Sequence, residues 1–431
     1  MTIRKLYANA RLLDPATKLD VKGEILAVDG KIAALGPKLG RDGLGPDIET
    51  VDCGGAALAP GLVDMRVQLR EPGDEYQETL ETGADSAAAG GVTTMVMLPN
   101  TAPVIDEHAL VEFVARRARE IGLTKIRTYA AATKGLLGKE LTEFGLLAEA
   151  GAVAFTDGTR AIADALVMRR ALSYASTFDL LIVQHPEEPS LATGGAVTEG
   201  EIATRLGLPG INPAAEAIMV ERDLRLVEIT GGRYHAAHVS TSGAIEAIRR
   251  AKARGLDVTC DTAPHYFALN ESAVGDYRTF AKVSPPLRSE EDRKAVVEGL
   301  KDGTIDAIAS DHAPQDQESK RLPFTSAEPG IVGLETLLPL SLELYHNGAL
   351  PLLQVLRALS QRPAEILRLN AGKLAVGAPA DFVVFDLDRP WRIDVSKFQS
   401  KCKNAPYDGR PAQGRALRTV VGGRGIFTAA A

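Results

Sequence analysis

Residues 61–69 read Gly61-Leu62-Val63-Asp64-Met65-Arg66-Val67-Gln68-Leu69. The run is nearly continuous in apolar residues, the pattern of a strand covered on both faces of a sheet. Seven more short runs follow, at Thr94–Leu98, Ile126–Ala132, Ala152–Thr156, Leu180–Gln184, Tyr234–Val239, Asp257–Thr262 and Ala307–Ser310. Stretches rich in Ala, Leu, Glu and Arg lie between them, among them Leu110–Glu120, Ala163–Ser176, Ala214–Glu228 and Gly243–Ala253. Eight apolar strands alternating with helices predict an α/β fold, a closed (β/α)8 barrel of the TIM type. A doubly wound open sheet is the competing topology.

The two chain ends have a different texture. Ile3–Ala8, Glu24–Val28 and Lys31–Leu35 alternate in polarity, and Asp29-Gly30 between the last two is a hairpin signal. Asp381–Leu387 and Ala416–Val421 read as strands, the second followed by Gly422-Gly423. Residues 1–55 and 371–431 are therefore expected to form one small β-sandwich domain beside a barrel spanning 56–370.

Composition excludes several classes. With 49 basic against 56 acidic side chains and a net charge of −7, the chain has no basic block to track phosphates, so no nucleic acid is expected as a partner. Cys53, Cys260 and Cys402 are far apart and form no CxxC pair, which removes a disulfide framework and a zinc finger and suits a reducing compartment. The start, from Met1 to Pro15, has no apolar h-region, and no apolar run reaches the ~18 residues of a membrane span. A cytoplasmic protein without a membrane segment is the expectation. Seven histidines is a small stock from which to build any metal site.

In barrels of this kind the chemistry gathers at the carboxyl ends of the strands. Strand one closes with Arg66, Gln68 and Arg70, strand two with Asn100, strand four with Asp157, strand five with His185 and strand six with His238. Strand seven closes with His265 and strand eight with Asp311-His312. Any one of these alone reads as a loop cap or a satisfied hydrogen-bonding group, but their convergence on one mouth favours a site. Asp157, His185 and His238 make a set of three zinc donors with an open fourth position. Asp311 is placed to act as the proton shuttle. Arg70 and Asn100 suit a substrate carboxylate, the arginine through paired hydrogen bonds. Metal-assisted hydrolysis is the chemistry such a set supports. His108, His235 and His346 lie in or beside helices or strand starts and read as structural.

The stretch Pro60-Gly61-Leu62-Val63-Asp64-Met65-Arg66-Val67-Gln68-Leu69-Arg70-Glu71-Pro72-Gly73 resembles the first-strand signature of the dihydroorotases, in the amidohydrolase superfamily. Gly90-Gly91-Val92-Thr93-Thr94, Met97-Leu98-Pro99-Asn100-Thr101, Ala154-Phe155-Thr156-Asp157-Gly158 and His238-Val239-Ser240-Thr241 follow in the family's order. Pro285-Pro286-Leu287-Arg288, Ser310-Asp311-His312-Ala313-Pro314, Gly333-Leu334-Glu335-Thr336 and Gly377-Ala378-Pro379-Ala380-Asp381 carry the resemblance across the chain. It implies the barrel, the split β domain, and descent from an enzyme of pyrimidine biosynthesis that interconverts carbamoyl-aspartate and dihydroorotate.

The departures from that pattern fall on the site. The resemblance implies His-x-His at the end of strand one, holding the first of two metals, where this chain has Arg66 and Gln68. Arginine has no lone pair to offer a metal. Gln315 stands where the family has a His that helps bind the substrate carboxylate, and Ser284 where an Asn commonly precedes Pro-Pro-Leu-Arg. Carried over by position, Asp157, His185 and His238 are ligands of a single zinc ion at most, Asp311 the base, and Arg70 and Asn100 the substrate binders. Three readings stay open. One is a dihydroorotase of reduced or absent activity toward a small carboxylated cyclic amide. Another is a non-catalytic partner of aspartate carbamoyltransferase. The third is a single-metal hydrolase of another cyclic amide, such as a hydantoin-like ring. The resemblance also implies a homo-oligomer, a dimer, and makes the segment from Gln315 to Pro329 the mobile substrate-side loop of the eighth unit.

Overall fold

The protein is described from a computed structural model covering residues 4–39 and 48–430. Five strands come first: β1 (Arg4–Asp14), β2 (Leu19–Val28), β3 (Lys31–Gly36), β4 (Glu49–Asp52) and β5 (Ala57–Pro60). The barrel staves are β6 (Leu62–Val67), β7 (Val92–Met97), β8 (Lys125–Thr128) continued by β9 (Ala130–Ala131), β10 (Phe155–Thr156) and β11 (Leu181–Gln184). A two-stranded excursion, β12 (Val197–Thr198) and β13 (Gly210–Ile211), precedes β14 (Arg233–Ala236), β15 (Val258–Thr262) and β16 (Ala307–Ile308). The chain ends with β17 (Phe382–Arg392), β18 (Pro411–Val421) and β19 (Arg424–Thr428).

All eight staves pair in parallel with their neighbours. The ring closes where Val67 bridges His312 in parallel, and the Gln68 amide donates to the His312 carbonyl at 2.8 Å. Closure decides between the two topologies in favour of the barrel. Every residue of β6, β7 and β11 is buried, as their unbroken apolar runs require. Helices cover the outside by presenting small residues to the strands. The helix Ser242–Ala253 starts where Thr241 Oγ1 accepts from the Ala244 amide, and it buries Ala244, Ile245, Ala247, Ile248 and Ala251 on one face. Arg250 and Lys252 in its last turn complement the carboxyl-terminal dipole. Inside the ring, Met65, Val96, Tyr129, Leu181, Val183 and Ala307 pack as a separate floor, and the Tyr129 hydroxyl donates to the Met65 carbonyl at 2.7 Å.

The chain ends share one hydrogen-bonded sheet in the order β19-β18-β17-β5-β1-β2-β3, with β4 beside β1. Its two wings enclose a core of Tyr7, Leu12, Ile25, Ile32, Phe382 and Val420, and the Tyr7 and Phe382 rings meet edge-on at 4.7 Å. Both glycine turns are hairpins with positive φ at each central residue, 45° and 81° at Asp29-Gly30 and 54° and 72° at Gly422-Gly423. Two strands run beyond their sequence expectation. β1 continues to Asp14 through a bulge after Tyr7, where Asn9 takes φ +55° and shifts the inward phase. β17 continues past Leu387 to Arg392 across a register shift before Pro390, a residue that disguises a strand in sequence. Ile3, read as the first residue of β1, lies outside the described residues. Among the described residues no helix is long and apolar enough to cross a membrane.

Gly90, between the helix Leu80–Ala89 and β7, tests the packing of the barrel wall. A Cβ there would stand 2.1 Å from the Leu334 carbonyl oxygen, a backbone atom that cannot rotate away. Gly90→Ala should therefore cost about 1–3 kcal/mol, read as a lower urea midpoint at unchanged slope.

Candidate active site

Arg66 reaches inward from β6, and its Nε donates to Asp311 Oδ1 at 2.8 Å with both side chains nearly out of contact with water. Its Nη2 makes a long contact of 3.4 Å to the Gly158 carbonyl, and its Nη1 is buried without a partner. Asp311 Oδ2 also faces His238 Nδ1 at 3.5 Å and His265 Nε2 at 3.9 Å. Burial alone would raise the Asp311 pKa, but the Arg66 charge, with His238 behind it, holds that carboxyl well below the usual carboxylate range. Burial first, then the Arg66 charge, pushes His238 down to about 4; burial does the same to His265. Both imidazoles are thus neutral at pH 7.

His185 follows β11 directly, and its Nδ1 lies 2.8 Å from His238 Nε2. The far nitrogen of His185 faces Glu187 Oε2 at 3.4 Å, and Glu187 accepts from Ser284 Oγ at 3.1 Å. Asp157 follows β10, but its two oxygens accept from the Thr133 amide at 2.8 Å and the Thr133 hydroxyl at 2.5 Å. Its carboxylate therefore pins the loop after β9. Burial raises the Asp157 pKa, and the hydrogen bonds from Thr133 oppose that.

The mouth itself is a cavity of about 220 Å3 lined by Arg66, Gln68, Arg70, Asn100, Asp311 and Gln315 among others. Arg70 donates through Nε and Nη2 to the Pro314 carbonyl at 3.3 and 3.1 Å, and Asn100 Nδ2 donates to Gln68 Oε1 at 3.0 Å. Gln315 donates to the Pro329 carbonyl at 2.9 Å, so its side chain ties the two ends of the loop it begins. That loop is held further by two buried ammonium groups. Lys282 donates to the carbonyls of Phe324, Thr325 and Ala327, and Lys320 to those of Thr279, Lys282 and Glu328. These six hydrogen bonds, four of them to its own carbonyls, brace the segment expected to be mobile.

Three of these residues carry backbone strain. Arg70, His238 and Asp311 adopt φ of +61°, +41° and +50°, a region costly for residues with a side chain and frequent at functional sites. Strand-end reading found Arg66, Arg70, Asn100 and Asp311, which the structure brings into one cavity, and His185 with His238, which it brings together outside the cavity lining. It did not find Glu187, Thr133 or Glu78. Glu78 faces His312 Nε2 at 3.4 Å while His312 Nδ1 accepts from the Gly333 amide, so His312 turns away from Asp311. The only signal for Glu187 is its place two residues beyond His185; Thr133 and Glu78 had none.

The chain matches the Dihydro-orotase-like family over residues 55–244 and the Amidohydrolase family over 214–427. It is 48% identical over 427 residues to a dihydroorotase of Anaplasma phagocytophilum, covering 98% of this chain and 95% of that one. A dihydroorotase of Syntrophus aciditrophicus is 46% identical over 422 residues, covering 98% and 99%. The chain belongs to the dihydroorotase family. Among solved structures, the L-hydantoinase (dihydropyrimidinase) of Arthrobacter aurescens superimposes with a TM-score of 0.86 at 27% identity, over 99% of this chain and 96% of that one.

Members of this family generally use zinc. In this dihydroorotase-family chain the donor set does not fit one. Catalytic zinc takes three protein donors, yet among the described residues no three His, Cys, Asp or Glu side chains gather in a metal-holding group. His185 Nδ1 and His238 Nε2 converge, but at hydrogen-bond distance, whereas two nitrogens on a tetrahedral zinc would stand ~3.3 Å apart. Asp157 is turned onto Thr133 and Asp311 onto Arg66.

The Arg66–Asp311 pair predicts a definite stability profile. Arg66→Met leaves a buried carboxylate unanswered and should cost about 3–5 kcal/mol at neutral pH. The folded Asp311 carboxyl lies below its unfolded value of about 3.9, so the stabilisation is complete above that value and fades as pH falls toward the folded one. In the variant Asp311 can take a proton, so the deficit should shrink as pH drops to about 4.5. Denaturant titrations of both proteins at the two pH values check this. Adding Asp311→Leu should recover most of the loss at neutral pH.

Proposed function

We propose that this chain is a dihydroorotase-family protein of pyrimidine biosynthesis that keeps a binding site for a small carboxylated cyclic amide without hydrolysing it. The observation that carries the reading is the buried ion pair of Arg66 with Asp311. A general base works when its pKa lies near the working pH. Asp311, held far below that range by a guanidinium at 2.8 Å, is a poor proton acceptor. Nothing else facing it compensates, since His238 and His265 are neutral and Gln68 is joined to Asn100. Residues on the binding side, Arg70 and Asn100, remain in the cavity wall. A protein that binds without turnover suits the role implied by its resemblance to metal-poor dihydroorotase-like chains, that of non-catalytic partner to aspartate carbamoyltransferase.

Protein purified without chelator should carry far less than one zinc per chain and should show no dihydroorotate hydrolysis above the uncatalysed rate. Chelator should leave its melting temperature unchanged. Stoichiometric zinc, with turnover lost in His185→Ala and Asp311→Asn, would overturn this reading in favour of a single-metal hydrolase. The partner role is checked by co-expressing the transcarbamoylase and asking whether the two co-elute. A transcarbamoylase fully assembled and active alone removes that role. Replacing Arg66 and Gln68 together by His should raise zinc uptake, measured by metal analysis.

A further inference from the structure

A second cavity, of about 500 Å3, is walled by residues 277–280, by the helix Gln317–Arg321 and by residues 403–404. Among the described residues it shares only Gln315 with the lining of the mouth. Its volume falls within the range of about 300–1,000 Å3 that small-ligand sites occupy. Its walls hold one another. Thr279 Oγ1 donates to the Lys320 carbonyl at 2.6 Å, and Lys320 Nζ donates back to the Thr279 carbonyl at 3.2 Å. Asn404 Oδ1 accepts from the Gln315 amide at 3.1 Å.

The chain has a net charge of −7, yet this wall is cationic. Arg278, Arg321 and Lys403 line it, and among the described residues Asp316 is the one carboxylate of the lining. Arg278 Nη2 donates to the Pro406 carbonyl at 2.7 Å and Arg321 Nη2 to Gln317 Oε1 at 2.9 Å, so both guanidinium groups meet neutral oxygens. Lys403 donates to the Phe398 and Ser400 carbonyls and lies in the field of Glu335. Asp316 is engaged by the Ser319 amide at 2.9 Å and by Gln77 Nε2 at 3.3 Å. Behind them, burial with the Lys282 charge pushes Lys320 down to about 7 against the pull of Glu328, so an anion in the cavity favours its charged form. Two rings complete the wall: Tyr277 is 48% exposed and Phe280 37%. Tyr277 is nevertheless fixed, with φ +61° and its hydroxyl donating to the Leu206 carbonyl at 2.7 Å. Strained backbone retained beneath an open ring is a mark of functional sites.

We infer that this cavity is a nucleotide site, taking a nucleoside diphosphate with its phosphates on Arg278, Arg321 and Lys403 and its base against Tyr277 and Phe280. Guanidinium groups suit phosphate through parallel hydrogen bonds. Three cations on three separate segments call for more anionic oxygens than one carboxylate offers, and a diphosphate supplies them. Stacking tolerates any base because each has a π face, so the two rings select a planar group without reading its identity. The site stands apart from Arg66, Arg70 and Asn100 and does not depend on whether the mouth hydrolyses anything.

Isothermal titration of the full chain at about 0.15 M salt, without added metal, compares uridine diphosphate, adenosine diphosphate, pyrophosphate and uridine. Both nucleotides should bind at least about 5-fold more tightly than pyrophosphate, the scale of one stacked base, and uridine alone should not register. Replacing Arg278 and Arg321 together by Ala should weaken the nucleotides and pyrophosphate alike, by at least about 10-fold. Phe280→Leu should weaken the nucleotides at least about 5-fold and leave pyrophosphate nearly unchanged. Asn100→Ala, in the mouth, should leave nucleotide binding as it was. Circular dichroism and melting temperature confirm that each variant folds. Pyrophosphate binding as tightly as the nucleotides, indifference to the arginine or the Phe280 replacements, or loss of binding in Asn100→Ala would overturn the inference. So would no binding of either nucleotide, which leaves the cationic wall to an acidic protein surface.

Discussion

Arg66 and Asp311 stand 245 residues apart in sequence, on the first and last staves of the barrel, and meet at 2.8 Å. They meet at the seam where Val67 bridges His312, so the ion pair spans the closure of the ring. Taking two charges out of water carries a desolvation penalty that mutual attraction only partly offsets, which makes such a pair weak as a source of net stability. Its importance lies in what each partner would cost alone. A buried carboxylate at the end of β16 without a cation, or a buried guanidinium at the end of β6 without an anion, would each be strongly destabilising. The two positions therefore constrain each other, and they set the field felt by His238, His265 and any ligand in the mouth.

The same logic extends to the other polar groups of the mouth. Asp157 has both oxygens answered by Thr133, and His185 has one nitrogen answered by His238 and the other by Glu187, itself held by Ser284. Ser284 and Arg66 are departures from the family's pattern, and each supplies a protein partner to a group that a metal or an Asn would otherwise neighbour. The site is a hydrogen-bonded network whose buried unpartnered atoms, among the described residues, include Arg66 Nη1, Glu187 Oε1, His238 Nδ1 and His265 Nε2. Satisfied networks of this kind in a low-dielectric interior are rigid, which agrees with strained backbone being sustained at Arg70, His238 and Asp311.

The barrel was legible in the sequence because strands buried on both faces leave unbroken apolar runs, and each of the eight runs overlaps a stave. The ends of β1 and β17 were not legible. A bulge at Asn9 and a proline at 390 break the period on which strand reading depends. In the mouth, residues at strand ends could be read because stave position fixes where Arg66, Asn100 and Asp311 project. The orientation of Asp157 could not be read, because it is decided by Thr133 on a different stave and by a loop that sequence does not fold. The bracing of the loop after β16 was hidden for a related reason. Lys282 and Lys320 carry no sequence signal for this role, which arises only when tertiary structure surrounds each with carbonyls.

That bracing bears on how the cavity selects what enters it. A loop held by six carbonyl contacts and by Gln315 at its base does not close freely around whatever binds, so selection falls on groups already in place. In a rigid mouth, a ligand charge that lacks a counter-charge cannot be accommodated by rearrangement and is rejected at close to the full cost of its desolvation. The number of uncompensated charges in the wall then decides the net charge of the ligand. Here Arg66 is answered by Asp311, and Arg70, which donates to the Pro314 carbonyl, lies in the field of the Asp74 and Glu328 carboxylates. The guanidinium at position 66 answers the Asp311 carboxylate, so the pair adds no net charge to the wall of the mouth.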